Sequence, residues 1–511
     1  MPLTIEEMAT FCKKKGFVFP SSEIYGGFAG FWDLGPLGVE MFNALKAAWW
    51  QYFVRSREDI VGLDASIISH PQTWVASGHL ESFGDLVLIT KKTKTRMRAD
   101  HFIQEQLGMN VEGWTAAQVN ELLQKHKLTY RGEEFEELKG FNLLFETKVG
   151  ADTSQKGVAY LRGEMAQAMF MDFKLIAETA RMQLPFGIAQ TGRCFRNEIA
   201  PRDFLFRSRE FHIAEIEYFY HPEQKSCPLL TAAQRKQSVL LLDAAAQEKP
   251  QEKHQERKRG TEKSPEKSTA VKTTIGEMLQ RKLLNEWHAS LLAEQLRWLL
   301  SLGFPAEKLR IREHLKTELS HYSSATFDAE YEFPFGWKEI AGNANRGQYD
   351  LTQHAKHSQK KLELYDETTK KSVIPAVIEP TFGMERIFLA LLFEAYHDDK
   401  QRGNVVLKLP PRLSPYFCGI FPLVKNKPEL VKKARTVFEQ LRTCHSCFYD
   451  ESGSIGRRYA RADEIGIPFC LTVDFESLDD YAVTIRDRDT TKQERVPIAK
   501  LQEKLTALLC K

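Results

Sequence analysis

The chain has 511 residues, 42% of them hydrophobic and 27% charged, and 71 Lys and Arg against 68 Asp and Glu leave a formal net charge of +3. This length predicts two to four domains, and this composition is typical of a globular protein. The net charge is too small to indicate a nucleic-acid partner by itself. Evidence for such a partner must come from local patches of basic residues.

The apolar segments and the cysteines limit where we expect the protein to work. The sequence contains no run of about 18 apolar residues, so no membrane span is expected. The first residues, MPLTIEEMATFCKKKG, lack the apolar segment of a signal peptide, so we expect a cytoplasmic protein. Eight cysteines in so long a chain do not predict a disulfide scaffold. Cys444 and Cys447 are the only close pair, and because suitably spaced further ligands are lacking, zinc is not expected.

Residues 1–85 begin with a short amphipathic helix and an aromatic, Gly-rich stretch, FVFPSSEIYGGFAGFWDLGPLG. The next segment, VEMFNALKAAWWQYFV, has apolar residues at helical spacing, and a strand-like DASIISHP follows. Residues 86–147 are more polar and helical and resemble an inserted module. Their basic run, KKTKTRMR, is explained by contact with RNA and, nearly as well, by a solvated charged edge.

Phe195–Phe219 reads FRNEIAPRDFLFRSREFHIAEIEYF and predicts an antiparallel hairpin with a loop at APRDFLFRSR. On the second strand, alternate positions put Glu215 and Glu217 on one face with Phe211, Ile213 and Phe219. An unpaired buried charge costs several kcal/mol or more. The carboxylates therefore need either cross-strand ion pairs or a ligand, and this stretch alone leaves both interpretations open.

The remaining segments predict a second insertion, a return to the core and a separate domain. Residues 221–320 form the second insertion, and about 245–272, which are highly charged and nearly devoid of aromatic residues, are expected to be disordered. Residues 321–400 return to mixed strand and helix, including WKEIAGNANRGQYDL and IEPTFGMERIFLALLFEAY. From 405 to 511, β-branched runs alternate with helices, which predicts a separate α/β domain.

Several of these stretches resemble known signatures. FRNE, LFRSREF and AEIEYF, followed far downstream by IEPTFGMERIFLALL, resemble the second and third motifs of class II aminoacyl-tRNA synthetases. FVFPSSEIYGGFAGFWDLGPLG, KTRMRADH, RGEMAQAMF, WKEIAGNANRGQYDL and GSIGRRYARADEIGIPFCLTVD resemble the homodimeric glycyl-tRNA synthetases. The resemblance runs from near residue 17 to near residue 490 and omits only the two insertions.

The resemblance implies an α+β fold, in which a class II antiparallel sheet of six or seven strands is flanked by helices. The catalytic core would comprise residues 1–85, 148–220 and 321–400, with insertions at 86–147 and 221–320. Residues 405–511 would form a C-terminal mixed α/β anticodon-binding domain. A homodimer is expected, with DASIISHP and the helix before it at the interface.

The activity implied by the resemblance is that of a glycine–tRNA ligase: glycine and ATP form glycyl-adenylate, and tRNA then accepts the glycine. Diadenosine tetraphosphate synthesis could accompany it. The substrate carboxylate is itself the nucleophile, so the site needs cations and donors around the phosphates and not a general base. Two alternatives are a non-catalytic, nucleic-acid-binding accessory protein and a synthetase for another small amino acid.

For ATP, the resemblance implies that Arg196 holds the α-phosphate, Arg207 the γ-phosphate, and that Phe211 stacks on the adenine. Arg386 would meet the nucleotide from the other side, and Glu339 is the candidate Mg²⁺ ligand. The full predicted ATP set is Arg196, Asn197, Glu198, Phe206, Arg207, Phe211, Glu339, Ile340, Gly383 and Arg386.

For glycine, the resemblance implies that Glu164, Glu215 and Glu379 surround the ammonium group. The full predicted glycine set is Arg98, Glu164, Phe211, Glu215, Glu379, Thr381 and Gly383. The chain departs from the family pattern at Thr381, where serine is common, and at Met165 and Ala168, which replace Thr and Gly. For Glu217, the sequence does not distinguish a role in catalysis from simple pairing with a neighbouring residue.

The last domain carries the predicted tRNA contacts. GRRYARADEIG places arginines around a tyrosine, which combines charge that attracts phosphate with a side chain that can stack on a base. The predicted tRNA-binding residues are Arg457, Arg458, Tyr459 and Arg461.

Overall fold

The computed structural model describes residues 3–109, 111, 114–136, 138–150, 157–248, 270–367 and 369–509. The helices in this part of the chain are α1 (Ile5–Lys15), α2 (Pro36–Trp50), α3 (Pro71–Ala76), α4 (His79–Ser82), α5 (Ala99–Leu107), α6 (Ala116–Lys125), α7 (Ala166–Thr179), α8 (Ala232–Arg235), α9 (Ala244–Glu248), α10 (Ile275–Gln280), α11 (Glu286–Ser301), α12 (Tyr349–Ser358), α13 (Met384–Ala395), α14 (Pro428–Leu441), α15 (Ile455–Glu464), α16 (Ser477–Asp480) and α17 (Leu501–Leu509).

The strands are β1 (Val18–Pro20), β2 (Trp32–Leu34), β3 (Ile60–Gly62), β4 (Ile68–Ser69), β5 (Gly84–Ile89), β6 (Arg96–Arg98), β7 (Lys139–Asn142), β8 (Glu146–Lys148), β9 (Val158–Leu161), β10 (Phe186–Phe195), β11 (Glu210–Tyr220), β12 (Ser238–Leu242), β13 (Val271–Thr274), β14 (Leu309–Glu313), β15 (Ala325–Phe333), β16 (Gly336–Gly347), β17 (Leu364–Asp366), β18 (Lys371–Val373), β19 (Ala376–Gly383), β20 (Tyr396–Asp399), β21 (Asn404–Leu407), β22 (Cys418–Pro422), β23 (Cys447–Tyr449), β24 (Phe469–Val473), β25 (Ala482–Asp487) and β26 (Gln493–Pro497).

The largest sheet has nine strands in the order β13-β12-β14-β15-β16-β19-β11-β10-β3. It is antiparallel except for the pairs β10·β3 and β12·β14. The sheet is therefore larger than the expected six or seven strands, because β12, β13 and β14 of residues 221–320 extend one edge. These residues are not a separate module, since Val239 and Leu241 of β12 pack into the same hydrophobic core as the central strands.

Helices cover both faces of this sheet, and alternate residues of β11 face opposite layers. Ala214, Ile216 and Tyr218 join the core that contains α2, α11 and α13. Ile213 and Phe219 pack instead with α7 and α12 on the other face. Side chains alternate in this way along any strand, so the sequence placed Glu215 and Glu217 on the α7 face correctly.

The predicted hairpin is confirmed as β10 and β11. Their antiparallel register pairs Glu215 with Gln190 and Phe211 with Cys194. On its other side β11 pairs with β19, and Glu215 lies opposite Thr381. The hairpin is thus central in the sheet, which buries both glutamates.

The first insertion packs around a core of its own. Strands β5, β6 and β7 form a three-stranded sheet, and α5 and α6 bury Phe102, Ile103 and Val119 against it. In its basic run, Lys91 and Lys94 form ion pairs with Glu134 and Glu136. These pairs give part of the run a structural explanation that does not involve RNA.

The C-terminal unit is the expected mixed α/β domain. Its sheet has the order β23-β22-β24-β25-β26, with β22 parallel to β23 and β24 and the remaining pairs antiparallel. A separate core of α14 and α17 side chains, including Leu430 and Leu505, packs on this sheet.

The stretch predicted to be disordered, about 245–272, has ordered ends. Residues 245–248 belong to α9, which begins where Glu313 accepts the backbone N–H of Ala244 at 3.0 Å. Residues 271 and 272 belong to β13. The prediction was therefore wrong at both ends, and its middle, residues 249–269, lies outside the described residues. Within the described ranges, no helix combines the length and apolar character needed to cross a bilayer.

Candidate active site

A pocket of about 650 Å³, its open mouth included, lies where β11, β16 and β19 meet the loop after β10 and the start of α13. Both charged and aromatic side chains face it. Its lining residues are Arg196, Glu198, Leu205, Phe206, Arg207, Ser208, Phe211, His212, Ile213, Glu339, Gly342, Thr381, Gly383, Glu385 and Arg386.

The loop of residues 196–209 is fixed by the Gly-rich segment near the N-terminus. Arg209 donates its backbone N–H to the Gly30 carbonyl at 2.8 Å and its side chain to the Ala29 carbonyl at 3.0 Å. Gly30 has φ +80°, and a Cβ there would lie 2.6 Å from Pro201. Only glycine fits this conformation and this close approach, so the aromatic, Gly-rich stretch positions the loop that carries Arg207.

Arg196 lies between two aromatic rings. Its guanidinium carbon is 5.3 Å from the Phe83 ring centre and 5.5 Å from that of Phe211, and Nε donates to the Gly163 carbonyl at 3.2 Å. Cation–π contacts and one hydrogen bond fix a guanidinium while leaving donors available for a ligand. Phe83 lies between α4 and β5, just before the first insertion, and helps to position Arg196 at the pocket.

Two further arginines are held at the pocket by carboxylates. Arg207 contacts Glu198 at 2.6 Å, and Arg386 contacts Glu339 at 2.7 Å while lying 4.4 Å from the Phe206 ring centre. Burial disfavours the charged carboxylate of Glu339, but the Arg386 guanidinium outweighs this and lowers its pKa. The pocket therefore presents three guanidinium groups, two of them already oriented by anions.

A second carboxylate lies behind Glu339. Asp328 accepts from, or shares a proton with, His314 at 2.7 Å. Burial and the neighbouring Glu339 raise the pKa of Asp328 to about 6. Across the part of the chain that the structure describes, no group of three or more His, Cys, Asp or Glu side chains is arranged to hold a metal ion.

A buried ionic cluster adjoins the pocket on the α7 face. Arg346 is buried and contacts Asp350 at 2.8 Å, Glu379 at 2.7 Å and Glu164 at 3.4 Å. Its guanidinium also lies 3.8 Å from the ring centre of Tyr322. Burial lowers the pKa of Arg346, but the three carboxylates outweigh this and hold it well above the ordinary value, so the group stays charged.

Glu215 and Glu217 lie beside this cluster, and no described residue forms an ion pair with either of them. Glu215 accepts the Met165 backbone N–H at 2.8 Å, whereas neither oxygen of Glu217 has a hydrogen-bond partner among the described residues. Burial and the nearby Glu379 raise the pKa of Glu215 to about 8 and that of Glu217 well above its ordinary value. Burial therefore favours the protonated form of both side chains.

The charge count of the cluster is uneven. Three carboxyl groups contact Arg346, and Glu215 and Glu217 lie near enough to influence and be influenced by this cluster, while His79 approaches Glu164 at 3.3 Å. Arg346 is the guanidinium that the described residues place in contact with Glu164, Asp350 and Glu379. A small cation entering next to Glu215 would replace its proton, because charge pairing in a low-dielectric site favours the ionised carboxylate.

Comparisons with known proteins agree with this chemistry. Residues 418–508 match the family model described as an anticodon binding domain. The glycine–tRNA ligase of Caldanaerobacter subterraneus subsp. tengcongensis is 40% identical over 98% of this chain and 99% of that protein. The glycine–tRNA ligase of Geobacillus thermodenitrificans is 41% identical over 98% of this chain and 97% of that protein. That of Bacillus thuringiensis subsp. konkukian is 40% identical, with 98% of both chains covered.

The chain belongs to the glycine–tRNA ligase family. The mixed α/β fold with its large, mainly antiparallel sheet and C-terminal anticodon-binding domain fits this membership. The comparisons cover nearly the whole chain, so they extend across both insertions.

Most residues predicted for ligand binding in this ligase-family chain meet at one place. Glu164, Glu215 and Glu379 lie in the adjoining cluster. The predicted residues that line the pocket are Arg196, Glu198, Phe206, Arg207, Phe211, Glu339, Thr381, Gly383 and Arg386. Gly383 leaves room for an arginine, since a Cβ there would lie 3.2 Å from Cδ of Arg386.

Three predicted residues are placed differently. Arg98 pairs with Asp100 through two hydrogen bonds of 2.6 and 2.9 Å and does not line the pocket. The Ile340 side chain is fully buried in the core with α13, so only its backbone lies near Gly383. Asn197 donates its backbone N–H to the Leu143 carbonyl at 2.7 Å and is also absent from the lining.

Sequence reasoning missed the residues that hold the carboxylates. Arg346 and Asp350 lie within GNANRGQYDL, a stretch that the sequence associated with the family without assigning roles in it. Gln167 donates to Glu164 at 2.8 Å and to Asp350 at 3.0 Å. Arg346 and Asp350 are four residues apart, which is the only local sequence signal that they pair. This spacing does not indicate that their side chains are buried.

In the anticodon-binding domain, the structure corrects two of four predicted tRNA contacts. Arg458 is 1% exposed and donates to the carbonyls of Pro422 and Leu423, so it holds the fold together. Tyr459 bonds Thr472 at 2.6 Å and contacts the small core around Phe421 instead of presenting an open face for a base. Arg457 is exposed.

Arg461 is intermediate in exposure between the buried Arg458 and the exposed Arg457. It is partly exposed, and it donates to Asp450 at 2.9 Å. Arg457 and Arg461 therefore remain the predicted tRNA-binding residues of α15.

Proposed function

We propose that this glycine–tRNA ligase binds ATP along its three pocket arginines and glycine between Glu215 and the Arg346 cluster. The protein is an aminoacyl-tRNA ligase that joins glycine to tRNA. The observation that carries the site proposal is the juxtaposition of an arginine-lined pocket with a buried cluster in which five carboxyl groups lie around one guanidinium.

The arginine-lined half suits a triphosphate. Arg196, Arg207 and Arg386 approach the pocket from different elements, and each guanidinium presents donors in a planar fork that matches phosphate oxygens. Glu198 and Glu339 occupy part of the forks of Arg207 and Arg386. The three guanidinium groups would bind phosphate oxygens and stabilise the charge that develops as pyrophosphate leaves.

The residues around Glu339 fit a magnesium ion. Mg²⁺ is commonly held by one or two carboxylates together with substrate phosphates. Glu339 and Asp328 provide two carboxylates side by side, since a Cβ on Gly342 would meet oxygens of both within 3.9 Å. When bound there, Mg²⁺ supplies positive charge to the phosphate oxygens.

The carboxylate half suits glycine. Glu215 lies opposite Thr381, which lines the pocket, so its carboxyl group is the member of the buried pair nearest the opening. The substrate ammonium would take the place of the proton on Glu215. The substrate carboxylate would then point toward the arginines, where the α-phosphate of ATP lies.

The Thr381 side chain is proposed to limit the size of the amino acid. Its hydroxyl donates to Glu379 at 3.0 Å, which fixes the rotamer and therefore the position of its methyl group. A fixed methyl at the pocket wall opposes a substrate side chain by steric clash, whereas binding energy alone separates glycine from alanine by only about 1 to 3 kcal/mol.

A homodimer is proposed from an exposed apolar surface on α3, β4 and α7. Thr73 of α3 donates to the sulfur of Met171 of α7 at 3.4 Å, so these elements are contiguous. Such a contiguous apolar surface favours a subunit interface over solvent. Its exposed members are Ile67, Ile68, Val75, Met171 and Leu175.

Glycine-dependent exchange of pyrophosphate into ATP, measured beside glycylation of tRNA, tests the proposed site. Glycine is expected to support exchange, and alanine and serine are expected to support it much more weakly. Exchange with alanine or serine but not glycine would refute the glycine site. An absence of exchange with any amino acid would favour the accessory-protein alternative, which the three retained arginines argue against.

A further inference from the structure

Two cysteines face each other in the sheet of the C-terminal domain. Cys418 begins β22 and Cys447 begins the edge strand β23, and the two residues are direct partners in the parallel register. Their Sγ atoms are 3.4 Å apart. Cys418 is fully buried, and Cys447 is partly exposed at the edge of the sheet.

The two thiols differ in acidity because of their contact. The hydrogen bond from Cys418 lowers the pKa of Cys447, and the nearby Arg442 favours the thiolate further. The same hydrogen bond, together with burial, raises the pKa of Cys418 well above its ordinary value. Thiolates react with oxidants, and reactive cysteines are partly exposed and close to cations. Cys447 has both properties.

We propose that Cys418 and Cys447 form a reversible disulfide when the protein meets a peroxide, and that Cys447 is the residue attacked first. The Cys447 sulfur attacks one peroxide oxygen, the O–O bond breaks, and a sulfenic acid and one water form. The Cys418 sulfur then attacks the sulfenic sulfur, the S–O bond breaks, and a second water leaves with the Cys418 proton. A dithiol reductant reverses the reaction by thiol–disulfide exchange.

The geometry admits this bond with a small movement. An S–S bond is about 2.05 Å long, so the sulfur atoms must approach by about 1.4 Å, from 3.4 Å. Neighbouring strands lie about 4.8 Å apart, which falls within the Cα separations that disulfides span. Because β23 is an edge strand, it can shift toward β22 without displacing a further strand.

The bond would restrain a segment that leads to α15. Three residues after Cys447, Asp450 accepts the Arg461 side chain at 2.9 Å. Fixing β23 therefore limits how Arg461 and the start of α15 adjust to a ligand. This consequence rests on the proposed role of α15 in tRNA binding.

Peroxide treatment followed by blocking of free thiols, proteolysis and mass spectrometry under non-reducing conditions tests the bond. We expect a peptide cross-linked through residues 418 and 447 that a dithiol separates. Cys444→Ser, which removes an exposed neighbouring thiol, should leave the cross-link intact. Cys447→Ser should abolish it, and Cys418→Ser should leave a sulfenic acid on Cys447 that a cyclic diketone traps.

Two results would overturn the disulfide. One is a link between Cys444 and Cys447 in place of the proposed one, and the other is overoxidation of Cys447 in the wild-type chain without any cross-link. Either result can be read without a variant, so a variant that folds poorly does not weaken the test.

The functional consequence is measured with reduced and peroxide-treated enzyme in parallel. In the wild type, oxidation should raise the KM for tRNA severalfold and leave glycine-dependent pyrophosphate exchange unchanged. In Cys447→Ser, peroxide treatment should change neither quantity. If the reduced enzyme fails to glycylate tRNA, the proposed function is refuted. If the reduced enzyme glycylates tRNA but oxidation leaves the KM for tRNA unchanged, the effect on α15 is refuted.

Discussion

The two halves of the candidate active site carry opposite charge in different ways. In the nucleotide half, Arg207 and Arg386 keep 17% and 29% of their side chains exposed and lie over an open pocket. In the glycine half, the Arg346 side chain is completely buried among carboxylates. The difference indicates that the exposed arginines can reach a ligand, whereas the enclosed one is committed to the fold.

Replacing Arg346 should have the largest effect on stability. Arg346→Met leaves Asp350, Glu164 and Glu379 without their shared cation, and an uncompensated buried charge costs about 3 to 5 kcal/mol. Urea unfolding of the two variants separates the halves, because Arg386→Met should change the free energy of unfolding by less than about 1 kcal/mol. Equal destabilisation by both substitutions would contradict the distinction.

The pocket arginines should instead dominate activity. Arg196→Met and Arg386→Met each remove donors that face the phosphates, so the exchange rate should fall by about 10² to 10³. Thermal unfolding serves as the control, since a folded variant with wild-type melting behaviour attributes the loss to the site. Retained exchange in either variant would remove that arginine from the proposed ATP site.

Glu215 and Glu217 provide a matched pair within the glycine half. Glu215→Gln removes the proposed partner of the ammonium and should raise the KM for glycine about 10- to 100-fold while changing the KM for ATP little. Glu217→Gln replaces a carboxyl group whose pKa burial raises well above its ordinary value with a neutral group of similar shape, so both KM values should stay within about twofold of the wild type. Steady-state exchange kinetics over both substrates compare them. Equal losses for glycine and ATP in Glu215→Gln would show that Glu215 is misplaced.

The smallest expected effect is on the pH dependence of stability without ligands. Burial and Glu379 raise the pKa of folded Glu215 to about 8 from 4.5, so its neutral form contributes stability fully below about pH 4.5. This contribution is lost as pH rises through about 8. Glu215→Gln should therefore flatten the decline of unfolding free energy between these values, by at most about 1.4 kcal/mol per pH unit. A slope identical to that of the wild type would mean that Glu215 is ionised in the free protein.

The sequence predicted much of the site because alternation along a strand is a strong constraint. It placed Glu215 and Glu217 on one buried face and identified Arg196, Arg207 and Arg386 from motifs whose spacing the fold preserves. The C-terminal domain was likewise evident, since β-branched runs and helices alternate there over a length that can form its own core.

Other features depend on contacts between distant segments. Arg346 has the same local appearance as a solvated charge, and its burial results from Tyr322 and from carboxylates on β19 and near α7. Arg458 shows the converse, because it belongs to a charged helix turn yet lies beneath the carbonyls of Pro422 and Leu423. The composition of residues 221–320 also led to the prediction of an insertion separate from the core. In the structure, β12 and β14 of this segment belong to the same sheet as the core strands.

The central claim is that the carboxylate surplus at Glu215 is reserved for the glycine ammonium. The most direct test is kcat/KM for glycine in pyrophosphate exchange, measured from about pH 6 to about pH 8.5, since this ratio reports groups of the free enzyme. Because Glu215 must lose its proton to pair with the ammonium, kcat/KM should rise with pH throughout this range and pass its half-maximum near pH 8, and the rise should disappear in Glu215→Gln. A wild-type profile that is flat across this range, or an unchanged rise in Glu215→Gln, would contradict the claim.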